Sequence, residues 1–154
     1  MKIEIDQSGK IEHTNKLSIL TFSNNTCKAI AISANEKKKL QRYFRENNQP
    51  RMFSILVFSV MVYLLIRGHI SNNTVYIDRE YPGYENFIKE KIIFLFHKYS
   101  RRKIDKGQLH FTQIGKKSRA HIIAYQAYRE KKYHTKIGAS DIKKFLTKKI
   151  IQYI

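Results

Sequence analysis

Acidic residues are scarce in this chain. Twelve Asp and Glu stand against thirty Lys and Arg in 154 residues, a formal charge of +18 and a sequence pI near 10.0. A field of that sign draws polyanions. Nucleic acid is the expected partner, either acted upon or merely neutralised as in a ribosomal or chromatin-type protein, and an anionic membrane surface is the weaker candidate. Cysteine is almost absent too: Cys27 alone cannot close an intramolecular disulfide, and no Cys/His set has zinc-ligand spacing. A reducing, cytoplasmic setting is expected. No Pro- or Gly-rich tract occurs and 42% of residues are apolar, which excludes a disordered basic arm. Repeats, low-complexity tracts and linkers are also missing, so residues 1–154 read as a single domain.

Long apolar runs are lacking as well. The best candidate, residues 53–66 between Arg51 and Arg67, falls short of the roughly 20 apolar residues a spanning helix needs. It reads as a helix buried on every side, and no stable membrane insertion is expected. The amino-terminal residues do not show the basic-then-apolar pattern of a secretion signal.

Residues 2–6 alternate Ile3 and Ile5 with Glu4 and Asp6, a half-buried strand that turns at Gln7-Ser8-Gly9-Lys10. Strand patterns over 11–22 and 27–33, separated by Ser23-Asn24-Asn25-Thr26, complete an antiparallel meander. A helix capped by Asn35 follows, then the buried run. The strand at 75–78 breaks at Pro82-Gly83, and Ile88, Ile92, Leu95 and Tyr99 mark a helix over 85–99. A fifth strand at 109–114 precedes a helix at 118–131, whose Ala120, Ile123, Ala124 and Ala127 form one narrow stripe. Ser140 or Asp141 caps a last amphipathic helix carrying Ile142, Phe145, Leu146 and Ile150. The expected fold is α/β, a five-stranded mixed sheet of a three-strand meander plus two parallel strands, flanked by helices.

Only four aspartates are present, and two of them, Asp6 and Asp78, stand where a short β-branched run stops. Strand-end aspartates often do no more than cap turns. If the two strands are neighbours, however, the pair makes an acidic site on a positive surface, suited to a metal ion acting on a nucleic acid phosphate. Glu80 is the reserve ligand, sharing Asp78's face if the strand continues. Gly115-Lys116-Lys117-Ser118-Arg119 sets Lys116, Lys117 and Arg119 beside exposed helix amides, a setting that favours phosphate. Lys10, Arg79, Arg101, Arg102 and Lys103 extend the basic track, although lysine-rich runs are commonly solvated faces. Tyr125, Tyr128 and Tyr133 read as packing residues, with base stacking the alternative.

The order strand, strand, strand, helix, strand, helix, strand, helix, opened by a tight meander, resembles the ribonuclease H-like superfamily over nearly the whole chain. That resemblance implies that the first and fourth strands lie parallel and side by side, each delivering a catalytic carboxylate, here Asp6 and Asp78. The RuvC-type branch is most similar. It places its last ligands three residues apart at the start of the final helix, where this chain has Ser118 and His121, so only His121 carries over as ligand or general base. The long helical region after the third strand offers no inward acid, since Glu36 and Glu46 sit among lysines and arginines. The implied activity is an Mg²⁺- or Mn²⁺-dependent nuclease acting on DNA or RNA, structured or branched DNA included. The alternative is a non-catalytic nucleic-acid-binding protein on the same scaffold, and pairing of two copies is left open.

Overall fold

The computed structural model describes residues 2–148 and Ile150. Six strands form one sheet: β1 (Lys2–Ser8), β2 (Ser18–Ser23), β3 (Cys27–Ile32), β4 (Thr74–Asp78), β5 (Leu109–Thr112) and β6 (Thr135–Ile137), in the order β5-β4-β1-β2-β3-β6. Helices α1 (Ala34–Glu46), α2 (Phe53–Ile66), α3 (Glu85–Tyr99), α4 (Arg119–Glu130) and α5 (Ala139–Lys143) flank it.

The meander β1-β2-β3 is antiparallel, β4 lies parallel beside β1, and β5 lies parallel beside β4. The expected sheet of five strands is one short. β6 adds to the outer side of β3, in parallel, with Ile30, Ala31 and Ile32 opposite Thr135, Lys136 and Ile137. Three residues, two of them exposed, carry no readable alternation. The pairing is flanked by His134, whose backbone N–H donates to Ala29 O and whose Nδ1 accepts from Ala29 N.

Strand alternation sorts side chains onto two faces. Ile3, Ile5, Leu20, Phe22, Ile30, Ile32, Val75 and Ile77 join the main core with α2. The opposite face of the meander carries Ile19, Ala29 and Ala31, which pack against Ala127 of α4. Short side chains on both partners let α4 come close, and Thr21 Oγ1 donates to Ala120 O at 3.0 Å. Helix α2 is apolar all round because the sheet, α1, α3 and α5 surround it, and only Ser54 and Leu64 are less than fully buried. No helix among the described residues is long and apolar enough to cross a membrane.

Several expected boundaries move. Residues 9–17 are a loop rather than the first half of a strand, closed by Lys10–His13 and His13–Lys16 backbone bonds. Gly9 turns the chain out of β1 with φ +78°, and a Cβ there would stand 2.2 Å from Leu17 O. Ser33, not Asn35, caps α1, its Oγ accepting from Glu36 N. The last helix stops after Lys143. Its cap is Gly138, whose N–H donates to the Asp141 carboxylate, while Ile142, Leu146 and Ile150 still reach the core.

Lys37 pins the 9–17 loop. It is fully buried on α1, and its ammonium donates to Lys10 O (3.3 Å), His13 O (2.7 Å) and Ser18 Oγ (2.7 Å). Burial pulls its pKa down to about 8, so at neutral pH it keeps the protons these acceptors use. Lys37→Met fills similar volume but strands all three acceptors. We expect a loss of about 1–3 kcal/mol, read as a lower urea midpoint at unchanged m-value.

Candidate functional site

Parallel pairing of β1 with β4 sets Ile5 opposite Ile77, so the next rung along brings Asp6 beside Asp78. Because both isoleucines point into the main core, both aspartates project from the other face, where α4 lies over β1. Asp6 is not strand-terminal, since β1 runs on to Ser8 and pairs Asp6 with Thr21. β4 does end at Asp78. Glu80 joins the pair by a different route from continued strand alternation: its N–H donates to Asp78 O at 2.9 Å, a three-residue turn that folds Glu80 back. One carboxylate oxygen from each of Asp6, Asp78 and Glu80 lies within 4.8 Å of the others.

Each aspartate is held by named donors. Asp6 is 3% exposed, and its Oδ1 accepts from Gln7 N at 2.8 Å. A 2.7 Å hydrogen bond joins Asp6 Oδ2 to His121 Nδ1, in the first turn of α4. With Asp6 ionised, the proton of that bond sits on Nδ1. Asp78 Oδ1 accepts from Ile114 N at 2.7 Å, tying the acid to the chain after β5, while Arg79 N donates to Thr112 O.

Crowding of acids shapes their titration. Burial raises the Asp6 carboxyl, and the Asp78 charge adds to that, against the bonds from Gln7 and His121 that lower it. Glu80 is pushed up to about 8, first by burial, then by its hydrogen bond to Asp78 and the charges of Asp78 and Asp6, with Lys10 opposing. Near neutral pH this favours the protonated form of Glu80.

The acids line a cavity of about 670 Å³ with Gln7, Arg79, Gln113, Ile114, Gly115, Lys116 and His121. The structure thus brings Asp6, Asp78, Glu80, His121, Arg79 and Lys116 together. Lys10 acts on Glu80 through its charge, whereas Lys117 and Arg119 do not line this cavity. Arg119 instead reaches Cys27 Sγ at 3.9 Å. Gln7, Gln113 and the Ile114 amide were not anticipated. Gln7 follows Asp6 directly, a signal within reach of the sequence, but the Ile114 amide comes from 36 residues away and has none.

A set made only of carboxylates is what hard divalent cations take. Oxygens bound on opposite sides of Mg²⁺ stand about 4.2 Å apart, and the three acids lie on that length scale. His121 meets Asp6 rather than the three-oxygen cluster, which suits an outer partner that orients a ligand. Compared with protein-family models, with curated proteins and with solved structures, the chain matches none.

The raised Glu80 pKa makes metal-free stability depend on pH. Between its ordinary value of 4.5 and about 8, the folded protein binds more protons than the unfolded chain. This contribution is complete below 4.5 and is lost as pH climbs through 8. Urea unfolding across that range should show the wild type losing stability relative to Glu80→Gln, with a flat difference counting against the assignment.

Proposed function

We propose that this protein hydrolyses phosphodiester bonds in nucleic acid, using Mg²⁺ or Mn²⁺ held by Asp6 and Asp78 with Glu80 as third ligand. The observation that carries the reading is the convergence of three carboxylates within 4.8 Å in a protein of net charge +18. Strand order supports it: a three-strand meander with two parallel strands beside its first member resembles the ribonuclease H-like arrangement, extended here by β6.

A divalent cation in such a site neutralises charge on the phosphate and lowers the pKa of bound water. The chain's own residues prepare the rest. The Gln7 amide and His121 fix the Asp6 carboxylate from two sides, and the Ile114 amide fixes Asp78. Glu80, held protonated by burial and its acidic neighbours, would have to release that proton to solvent to serve as a ligand to such a cation. Arg79 and Lys116 supply positive charge at the cavity wall for the phosphate oxygens, so the strand is drawn to the acids despite their like charge. His121 also stands where it can hold or pass a proton next to Asp6.

One feature favours the second reading, a nucleic-acid-binding protein without catalysis. The acids already have partners, His121 on Asp6 and the Ile114 amide on Asp78, and burial favours the neutral form of Glu80, so the cluster has compensation without a cation.

Cleavage of labelled single strands, duplexes, RNA–DNA hybrids and branched junctions separates the two. Asp6→Asn and Asp78→Asn should each lower cleavage by at least about 100-fold, while low-salt binding stays equal or tightens because negative charge is removed. Cleavage unchanged by both substitutions would leave the binding reading. His121→Ala should weaken Mn²⁺ affinity by about 10- to 100-fold, measured by calorimetry. An unchanged affinity would remove His121 from the site.

A further inference from the structure

Next to the acidic cavity lies a second one of about 540 Å³, lined by Lys116, His121, Ile122, Tyr125, Gln126 and Arg129. Lys116 and His121 wall both cavities, so the two adjoin. Its apolar surface is unusual for this molecule. Four large hydrophobic side chains stand exposed among the described residues, and two of them, Ile122 at 44% and Tyr125 at 54%, are here. Helix α4 presents both on the face opposite its Ala120, Ala124 and Ala127 stripe. Tyr128 and Tyr133, by contrast, pack against the small core under α4.

The geometry points to a nucleobase subsite: one unpaired base of a nucleic acid strand stacks on Tyr125 against Ile122, while its flanking phosphates meet Lys116 and Arg129. This rests on the nucleic-acid reading above and deepens it by naming the substrate class, a strand unpaired next to the scissile phosphate. Three features select that occupant. Stacking needs an exposed π face, which Tyr125 offers and a duplex base does not, since both its faces are covered by neighbours. Gln126 supplies an amide for a base edge. Cations at Lys116 and Arg129 complement phosphate and lead into the cavity that holds the acids.

The test measures binding in EDTA, without turnover, to a short single-stranded oligonucleotide carrying 2-aminopurine and to the duplex of the same sequence. Tyr125→Ala should weaken single-strand binding about tenfold to a hundredfold and abolish fluorescence quenching, with duplex affinity unchanged. Tyr125→Phe should retain both. Tyr125 is more than half exposed, so both variants should keep the wild-type melting transition. Unchanged single-strand affinity in Tyr125→Ala overturns the subsite, as does an equal loss for single strand and duplex. An altered sedimentation of the free protein with unaltered binding also overturns it, assigning the face to a second copy of the chain. Stacking that survives in a protein with no cleavage activity removes the hydrolytic reading and leaves this one. Intact cleavage indifferent to Tyr125 removes this one alone.

Discussion

The parallel pairing of β1 with β4 is the constraint on which both the core and the site depend. With Ile5 opposite Ile77, two isoleucines enter the main core together, and the following residues, Asp6 and Asp78, are forced out of the other face as neighbours. A slip of one residue would turn an aspartate into the main core, at a cost of several kcal/mol for an unpaired buried charge. The register that buries the apolar face is therefore the one that assembles the acids. Strand pairing of this kind needs a long crossover, here residues 9–73, which carry β2, β3, α1 and α2.

Helix α4 completes the arrangement from the opposite side. Its alanines allow close approach to Ile19, Ala29 and Ala31, and the Thr21–Ala120 bond sets its first turn over the rung that Thr21 shares with Asp6. His121 then meets Asp6 without reaching. The same helix turns Ile122 and Tyr125 outward beside Lys116, so one element orients the acid and shapes the surface next to it.

Electrostatics run in opposite senses at two buried places. Lys37 is satisfied by three oxygens and holds its loop in place. The acids are crowded together, and burial drives Asp6 and Glu80 toward their neutral forms. A site that raises its carboxylates in this way favours whatever brings compensating positive charge, to which Arg79 and Lys116 at the cavity wall and Lys10 near Glu80 contribute.

The alternation in β1 and β4, the unbroken apolar run of α2 and the helical periodicity of α3 were all legible, because each is a local pattern whose cause lies within a few residues. Asp6 and Asp78 were visible as candidates for the same reason, as scarce acids beside β-branched runs. The loop at 9–17 hid behind buried Ile11, and β6 was too short to show a period. No local pattern sets Lys37 apart from the lysines that follow it. Glu80 reached the acids through a turn at Arg79 rather than through continued alternation, and Tyr125 was placed with Tyr128 and Tyr133 though it faces solvent. What the sequence by itself determined is the positive field, the element types and which acids were available, since these follow from composition and short-range periodicity. Only the tertiary structure decided which acids meet, which lysine is buried and which tyrosine is exposed, because those depend on the register between segments some seventy residues apart and on which helix face the sheet covers.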